Sequence, residues 1–378
     1  MIKAGILGGG QLGRMLLQEA ANYPVETWVL ENDAGCPAAH LCNHFVRGDI
    51  RDYETVLSFG RQVDCLTIEI EHVNVEALEQ LESEGIRIYP RPATLRIIQD
   101  KILQKEFYAR HNIPSAEFHV IQSAAELTNH HAFLPAVQKL GKGGYDGRGV
   151  QMIRRPEDIA LGFDAPSVLE KMIPVKKELA LMVALNNKGE AAIFPPVEMV
   201  FDPLLNLLDY QLCPAELPEK TFWKAEAIAL SVARNLQSPG LFAVELLMDA
   251  EQNIFVNETA PRVHNSGHHT IEAHYSSQFD MLWRIMLDYP LGNTDAILPS
   301  AMLNLLGEEG YKGRAVYEGI GDCLAVENAF VHIYGKEETK PGRKMGHVTI
   351  ISKERAELLH QARKIKHTLK VKGTEPIK

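Results

Sequence analysis

Along the first part of the chain, short and largely apolar runs alternate with amphipathic ones. Residues 2–7 and 26–30 read as strands; between them a glycine turn opens an amphipathic run that reaches Asn22. Further strand-like runs fall near residues 66–71 and 86–89. Strands alternating with helices predict a parallel sheet with crossover connections. Arg91-Pro92 interrupts the pattern, and residues 94–111 then predict one long helix, with Leu95, Ile98, Ile102, Lys105 and Tyr108 near one stripe. His111-Asn112-Ile113-Pro114 ends it. Residues 136–174 form a small mixed unit, and 219–236 predict a helix with Ala225, Ile228, Ala229, Val232, Ala233 and Leu236 on its apolar face. Strands at 241–248 and 254–258 flank a polar turn. After 288–292 short strands follow at 301–305, 329–334 and 346–351. These breaks divide the chain into residues 1–92, 93–292 with an insertion at about 113–174, and 293–378, without internal repeats.

At 378 residues the chain can hold two or three domains with their own cores, and 46% apolar content is ordinary for a soluble globular protein. A formal charge of -10 supplies no basic excess for a phosphate backbone, so nucleic acid is not an expected partner. The lysine-rich stretch 353–372 interleaves apolar residues at helical spacing and reads as a solvated helix face. Cys36, Cys42, Cys65, Cys213 and Cys323 show no paired spacing, which favours a reducing compartment and argues against structural zinc. The chain opens directly into a strand and glycine turn, and no apolar run approaches about eighteen residues. No signal peptide or membrane partner is therefore expected, and the expected location is cytoplasmic.

Three segments carry candidate chemistry. Gly8-x-Gly10-x-x-Gly13 follows a strand, opens a helix and has Glu31 at the end of the next strand, which is a dinucleotide-binding pattern in its proper context. Five glycines between Gly141 and Gly149, with Lys139 and Lys142 beside them, can present backbone N–H groups to phosphates or close over a nucleotide. The segment lacks the spacing of a Gly-x-x-x-x-Gly-Lys-Ser/Thr loop, and a surface hairpin would also explain it. In the third, a hairpin closed symmetrically about 249–253 sets Glu245 roughly opposite Glu258 on one face. Two such carboxylates need a proton or a cation between them, and an oxygen-only set suits magnesium; alternatively one of them faces solvent and the pair never meets.

The glycine segment and the paired carboxylates together resemble the ATP-grasp superfamily. Residues 8–15, 143–149 and 257–268 narrow the resemblance to the 5-(carboxyamino)imidazole ribonucleotide synthetases, purine-pathway enzymes of bacteria and fungi, in the expected order along nearly the whole chain. The resemblance implies an α/β protein with a Rossmann-like pre-ATP-grasp domain, a two-part α+β ATP-grasp domain whose insertion is a lid, and a small β-rich C-terminal domain that completes the substrate site. It implies ATP and magnesium, with manganese as a substitute, as cofactors; 5-aminoimidazole ribonucleotide and bicarbonate as partners; and a homodimer.

The resemblance also assigns residues. Glu245 and Glu258 would carry magnesium on the ATP phosphates beside Asn257. Arg262 would clamp bicarbonate and the carboxyphosphate it becomes, since a guanidinium matches two oxygens at once, and His264 and Asn265 would complete that pocket. Lys101 and Lys139 would meet the phosphates, with Gly143 and Gly144 in the covering loop. Glu170, Lys171 and Ile173 would hold adenine, and Glu178 the ribose hydroxyls. The linker from Lys171 to Lys177 is more basic than is usual for the family, and Lys101 stands where arginine is common. Gln11, Glu69, Tyr145 and Arg148 would face the imidazole nucleotide, with Asp146 near its attacking amine; Lys336 and Arg343 would hold its phosphate. Glu71 is expected to cap the following helix, and His268 and His269 are expected to be ordinary surface residues.

Other readings remain at this stage. Another ATP-grasp purine ligase or carboxylase would share most of these features. A nicotinamide-dependent dehydrogenase would explain the first glycine motif but would give the second glycine segment and the carboxylate pair no role. A silent nucleotide-binding regulator would not need the acids or Arg262.

Overall fold

The computed structural model describes residues 1–144, 149–201 and 208–377. The N-terminal unit alternates β1 (Ile2–Leu7), α1 (Gln11–Ala20), β2 (Val25–Glu31), β3 (His44–Arg47), α2 (Tyr53–Gly60), β4 (Cys65–Ile68), α3 (Val75–Ser83) and β5 (Arg87–Tyr89). Its strands are parallel and ordered β3-β2-β1-β4-β5, as the alternating pattern predicts. The order reverses between β1 and β4. The crevice beyond their C-terminal ends, where Gly8 and Glu69 lie, is where such sheets bind ligands.

The predicted helix at 94–111 is two helices, α4 (Pro92–Ile98) and α5 (Lys101–Arg110). The stripe is helical on both sides of the break, so periodicity alone misses it. What breaks it is Asp100, whose side chain accepts hydrogen bonds from the backbone of Ile102 and Leu103 as the N-cap of α5. This start places Lys101 on the first turn, with its ammonium 2.7 Å from Glu258.

The inserted unit is an antiparallel sheet, β6 (Phe118–Ile121), β7 (Ala136–Leu140), β8 (Val150–Ile153) and β9 (Ser167–Lys171), ordered β6-β9-β7-β8, with the short α6 (Ala124–Leu127). Then come β10 (Lys177–Leu185), β11 (Ala191–Ile193), β12 (Val197–Phe201), β13 (Leu208–Cys213), α7 (Glu219–Asn235), β14 (Gly240–Met248), β15 (Ile254–Ala260), α8 (Thr270–Ala273) and α9 (Gln278–Met286). All six apolar positions assigned to α7 are buried. The C-terminal unit adds β16 (Ser300–Leu306), β17 (Tyr311–Glu318), α10 (Ile320–Leu324), β18 (Ala329–Ile333), β19 (Glu338–Thr339), β20 (Lys344–Ile351), α11 (Arg355–Thr368) and β21 (Lys370–Pro376). The lysine-rich tail is thus a helix with Leu358, Ala362 and Ile365 buried, followed by a strand.

The C-terminal unit shares its sheet with the middle of the chain. The strand path β15-β14-β10-β12-β13-β16-β20-β18 is continuous, with β16 paired to β13 from Ser300 to Leu303. The N-terminal unit is equally well attached. One apolar cluster includes Leu12, Leu16, Met182, Phe279, Leu282, Trp283 and Tyr334, and the Trp283 indole donates to the Leu16 carbonyl at 2.7 Å. Among the described residues, no helix is long and apolar enough to cross a membrane.

Candidate active site

The hairpin of β14 and β15 sets the centre of the site. Near its turn the pairing is symmetric: Met248 with Ile254, Leu247 with Phe255, Leu246 with Val256. Continued unchanged, that register would put Asn257 opposite Glu245. A β-bulge intervenes and Glu245 pairs with Glu258 instead, so the predicted juxtaposition is present but through an irregularity rather than simple symmetry.

The carboxylates feel each other. Burial, and next the charge of Glu258, raise the Glu245 carboxyl above its ordinary range, while Lys101 holds Glu258 below it. The Lys101 ammonium lies 2.7 Å from Glu258 Oε2. From β7, Lys139 donates to Asn257 Oδ1 at 2.9 Å and stands 3.2 Å from Glu170 on β9. Cations from α5 and the inserted sheet therefore meet the acid and amide of the hairpin directly, an arrangement suited to a polyphosphate and its counter-ion. The donor set fits magnesium: two opposed carboxylates and an amide oxygen are all hard oxygen ligands, and their mutual repulsion gives a divalent cation something to relieve.

Lys105 belongs to this group and was not anticipated as a functional residue. It is buried, donates to the Ala116 carbonyl at 3.0 Å and lies 3.8 Å from Glu170. Burial pulls its ammonium down to about 8. Its place on an apolar stripe was the available signal, since a lysine there must be paired when buried. Burial also raises the Glu178 carboxyl, which Lys139 counteracts. The Lys171 ammonium points away, toward the carbonyls of Phe133 and Leu134. Ile173 lies in the linker between β9 and β10.

Beyond β15 the chain turns so that His264 stands beside Glu245 and Arg262 beside His264. Arg262 Nε lies 2.9 Å from Glu71 Oε1, so Glu71 is an ion-pair partner and the expected helix cap is supplied by Asn74 instead. His264 Nε2 is 3.8 Å from Glu245, and its Nδ1 accepts from the Ser266 N–H. Burial, then the neighbouring Arg262 charge, push this imidazole down to about 3, so it is neutral at physiological pH. Gln278 fixes the loop from below by accepting from the His264 N–H and donating to the His264 carbonyl. Asn265 exchanges two amide hydrogen bonds with Asn304 of β16, joining the loop to the C-terminal unit.

His268 and His269 are buried, contrary to the surface expectation. Gln278 and Gln211 lie 3.0 Å from their respective Nδ1 atoms. The polar sequence around them concealed a loop packed against the large sheet.

At the first glycine turn, the Gly13 N–H donates to Glu69 Oε2 at 2.7 Å, and a side chain on Gly10 would collide with the same carboxylate. Glu31 folds back to accept from the Gly9 N–H at 3.1 Å. The helix N-terminus that would hold a dinucleotide pyrophosphate is thus occupied by Glu69, which removes the physical basis for the dehydrogenase reading. Burial raises the Glu69 carboxyl to about 7. Gln11 opens α1 beside it. Arg14, one turn further on and unassigned from sequence, packs against the loop after β18: a Cβ on Gly335 would approach its Nη1 to 3.1 Å. That contact brings Lys336, in the same loop, toward the first domain; its ammonium also donates to the Lys344 carbonyl at 2.8 Å. Arg343 Nη1 donates to the Glu338 carbonyl at 2.8 Å. Gly143 adopts φ 80°, a conformation glycine accepts readily, and Gly144 follows it. Tyr145, Asp146 and Arg148 lie outside the described residues.

Comparison with known proteins accords with this geometry. The ribonucleotide synthetase preATP-grasp domain family matches residues 1–99, the ATP-grasp domain family residues 106–279, and the phosphoribosylaminoimidazole carboxylase C-terminal domain family residues 300–361. The chloroplastic phosphoribosylaminoimidazole carboxylase of Vigna aconitifolia is 36% identical across 93% of this chain, but the match spans 64% of that longer protein. The crystal structure of N5-carboxyaminoimidazole ribonucleotide synthetase from Thermotoga maritima is 39% identical, with a TM-score of 0.92 over 99% of this chain and all of that one. The Aspergillus clavatus N5-carboxyaminoimidazole synthase, solved with ADP and 5-aminoimidazole ribonucleotide, is 32% identical, with a TM-score of 0.89 over 97% of this chain and 98% of that one. With its glycine turn closed by Glu69, its paired hairpin acids and a C-terminal unit continuous with the central sheet, the chain belongs to the N5-carboxyaminoimidazole ribonucleotide synthetase family of ATP-grasp enzymes.

Proposed function

We propose that this protein carboxylates the exocyclic amine of 5-aminoimidazole ribonucleotide, using ATP and bicarbonate and passing through carboxyphosphate. The observation that carries the reading is the adjacency of a phosphate-handling pair, Glu245 and Glu258, to an oxyanion-handling pair, Arg262 and His264, on one hairpin and its loop. A bicarbonate oxygen attacks the terminal phosphorus, ADP leaves, and the amine then attacks the carbonyl carbon as phosphate departs and the amine loses a proton.

Lys101 and Lys139 hold the ATP phosphates, and Glu170, Ile173, Glu178 and the backbone of Lys171 hold its nucleoside, with Gly143 and Gly144 in the covering loop. Magnesium, carried by Glu245 and Glu258 beside Asn257, would neutralise phosphate charge as the bond breaks. Arg262 presents its guanidinium to two oxygens of bicarbonate. Neutral His264 donates rather than competes as a second cation, and Asn265 completes the pocket. Gln11, Glu69, Tyr145 and Arg148 face the imidazole nucleotide, with Asp146 near its attacking amine, and Lys336 and Arg343 hold the ribonucleotide phosphate. No covalent nucleophile on the protein is required, so rate comes from positioning and preorganised charge. The same reading takes the working form as a cytoplasmic homodimer that accepts manganese in place of magnesium.

Heavy-oxygen-labelled bicarbonate tests the route. Attack by bicarbonate on ATP transfers one labelled oxygen to each phosphate released. Unlabelled phosphate formed together with carboxylated product would exclude carboxyphosphate.

A further inference from the structure

Away from the nucleotide cleft, Cys213 at the end of β13, His269 after the active-site loop and His274 after α8 converge in the interior. One ligand atom from each lies within 4.8 Å of the others, and all three residues are buried. Cys213 Sγ is 3.9 Å from His274 Nε2, and the imidazoles meet edge to face with centroids 5.0 Å apart. Among the described residues, His269 Nε2 and His274 Nδ1 have no hydrogen-bond partner although both are buried, while it is the other His274 nitrogen, Nε2, that faces the thiol. Buried imidazole nitrogens are ordinarily satisfied, and an orphan on each of two adjacent rings beside a thiol calls for an explanation.

We propose that Cys213, His269 and His274 form a binding site for a thiophilic divalent transition metal, with zinc the best match. One sulfur and two imidazole nitrogens are a borderline-soft donor set of the kind zinc selects. The ligand atoms are farther apart than in a closed tetrahedral site, so loading draws the three side chains together by about 1 Å. The Pro195 carbonyl, 3.9 Å from Cys213 Sγ, is an oxygen at hand for the fourth position. Binding forms the metal–sulfur bond as the Cys213 thiol releases its proton to solvent; a cation thereby reverses the preference for neutral thiol that burial imposes. Gln211, 3.0 Å from His269 Nδ1, orients that ring from the side opposite the orphaned nitrogen. Of the three ligands His274 lies nearest the surface, lining a cavity of about 370 Å³ together with Glu19, Asp280 and Arg284. The spacing of the cysteines hides this site, because two of its three ligands are histidines more than fifty residues further along the chain.

The test is production of the full-length protein in cobalt-supplemented medium, removal of loose metal by gel filtration against a chelator, and measurement of bound cobalt and its spectrum. The proposal expects one cobalt per chain, with a thiolate-to-cobalt charge-transfer band in the near ultraviolet. Cys213→Ser should lose that band and most of the metal, while Glu245→Gln combined with Glu258→Gln should keep both, which separates this site from the carboxylate pair. Circular dichroism and melting of Cys213→Ser establish that it is folded. No retained cobalt in the wild-type protein, or equal retention and an unchanged spectrum in folded Cys213→Ser, would overturn the proposal.

Discussion

Arg262 holds its position through Glu71, and each leaves a charge behind when the other is removed. Arg262→Ala is expected to lower turnover by about 10² to 10³ while ATP still binds, because the lost donor acts on developing charge rather than on the nucleotide. Steady-state kinetics check this, and a rise in the Michaelis constant for ATP with unchanged turnover would contradict it. Glu69 gives a pH signature. Its folded carboxyl is raised by burial to about 7, so the folded protein holds a proton that the unfolded chain releases near 4.5. The stability it contributes is complete below 4.5 and lost as pH rises through 7. Glu69→Gln keeps an acceptor for Gly13 and should flatten that part of the profile in melting curves of the ligand-free protein. The pairing of Glu245 with Glu258 was legible because two acids in a largely apolar hairpin need a partner, and Arg262 stood out because a loop does not need a guanidinium to fold. Lys105 and Gln278 did not, since their roles depend on partners distant in sequence, Glu170 and the His264 backbone.

At the scale of elements, strand–helix alternation in the first domain and the apolar face of α7 could be read directly, because burial there follows period. The break between α4 and α5 could not. Asp100 interrupts a stripe that is apolar on both sides, and the capping geometry outweighs the periodicity. Asp100→Ala should cost about 1–2 kcal/mol in chemical denaturation, as expected for loss of an N-cap, and should weaken ATP binding because Lys101 follows directly. Equal ATP affinity in a destabilised variant would separate the cap from the site. The bulge in β15 is a second irregularity that residue alternation does not predict. It brings Glu258, rather than Asn257, opposite Glu245 and leaves Asn257 beside the Lys139 ammonium.

For the whole molecule, the strands after residue 293 were legible as short apolar runs, but not the sheet that joins them to the middle of the chain, because cross-strand pairing between β13 and β16 leaves no local pattern. Where the units meet, His347 stacks on His332 and His268, with ring centroids at 4.4 and 4.9 Å, and the Tyr334 hydroxyl lies 3.1 Å from its Nδ1. Burial, then the neighbouring His268, hold His347 well below the ordinary histidine range. A neutral folded histidine contributes stability present above 6.5 and lost as pH falls. Melting temperature should accordingly drop between pH 6.5 and 5, less steeply in His347→Asn; an unchanged slope would remove His347 from the acid response. The central claim is tested most directly by phosphate release from magnesium ATP in bicarbonate buffer, with and without 5-aminoimidazole ribonucleotide, together with assay of the carboxylated nucleotide. The account predicts release that depends strongly on the imidazole nucleotide and equals product formed; release that the imidazole nucleotide leaves unchanged would contradict it.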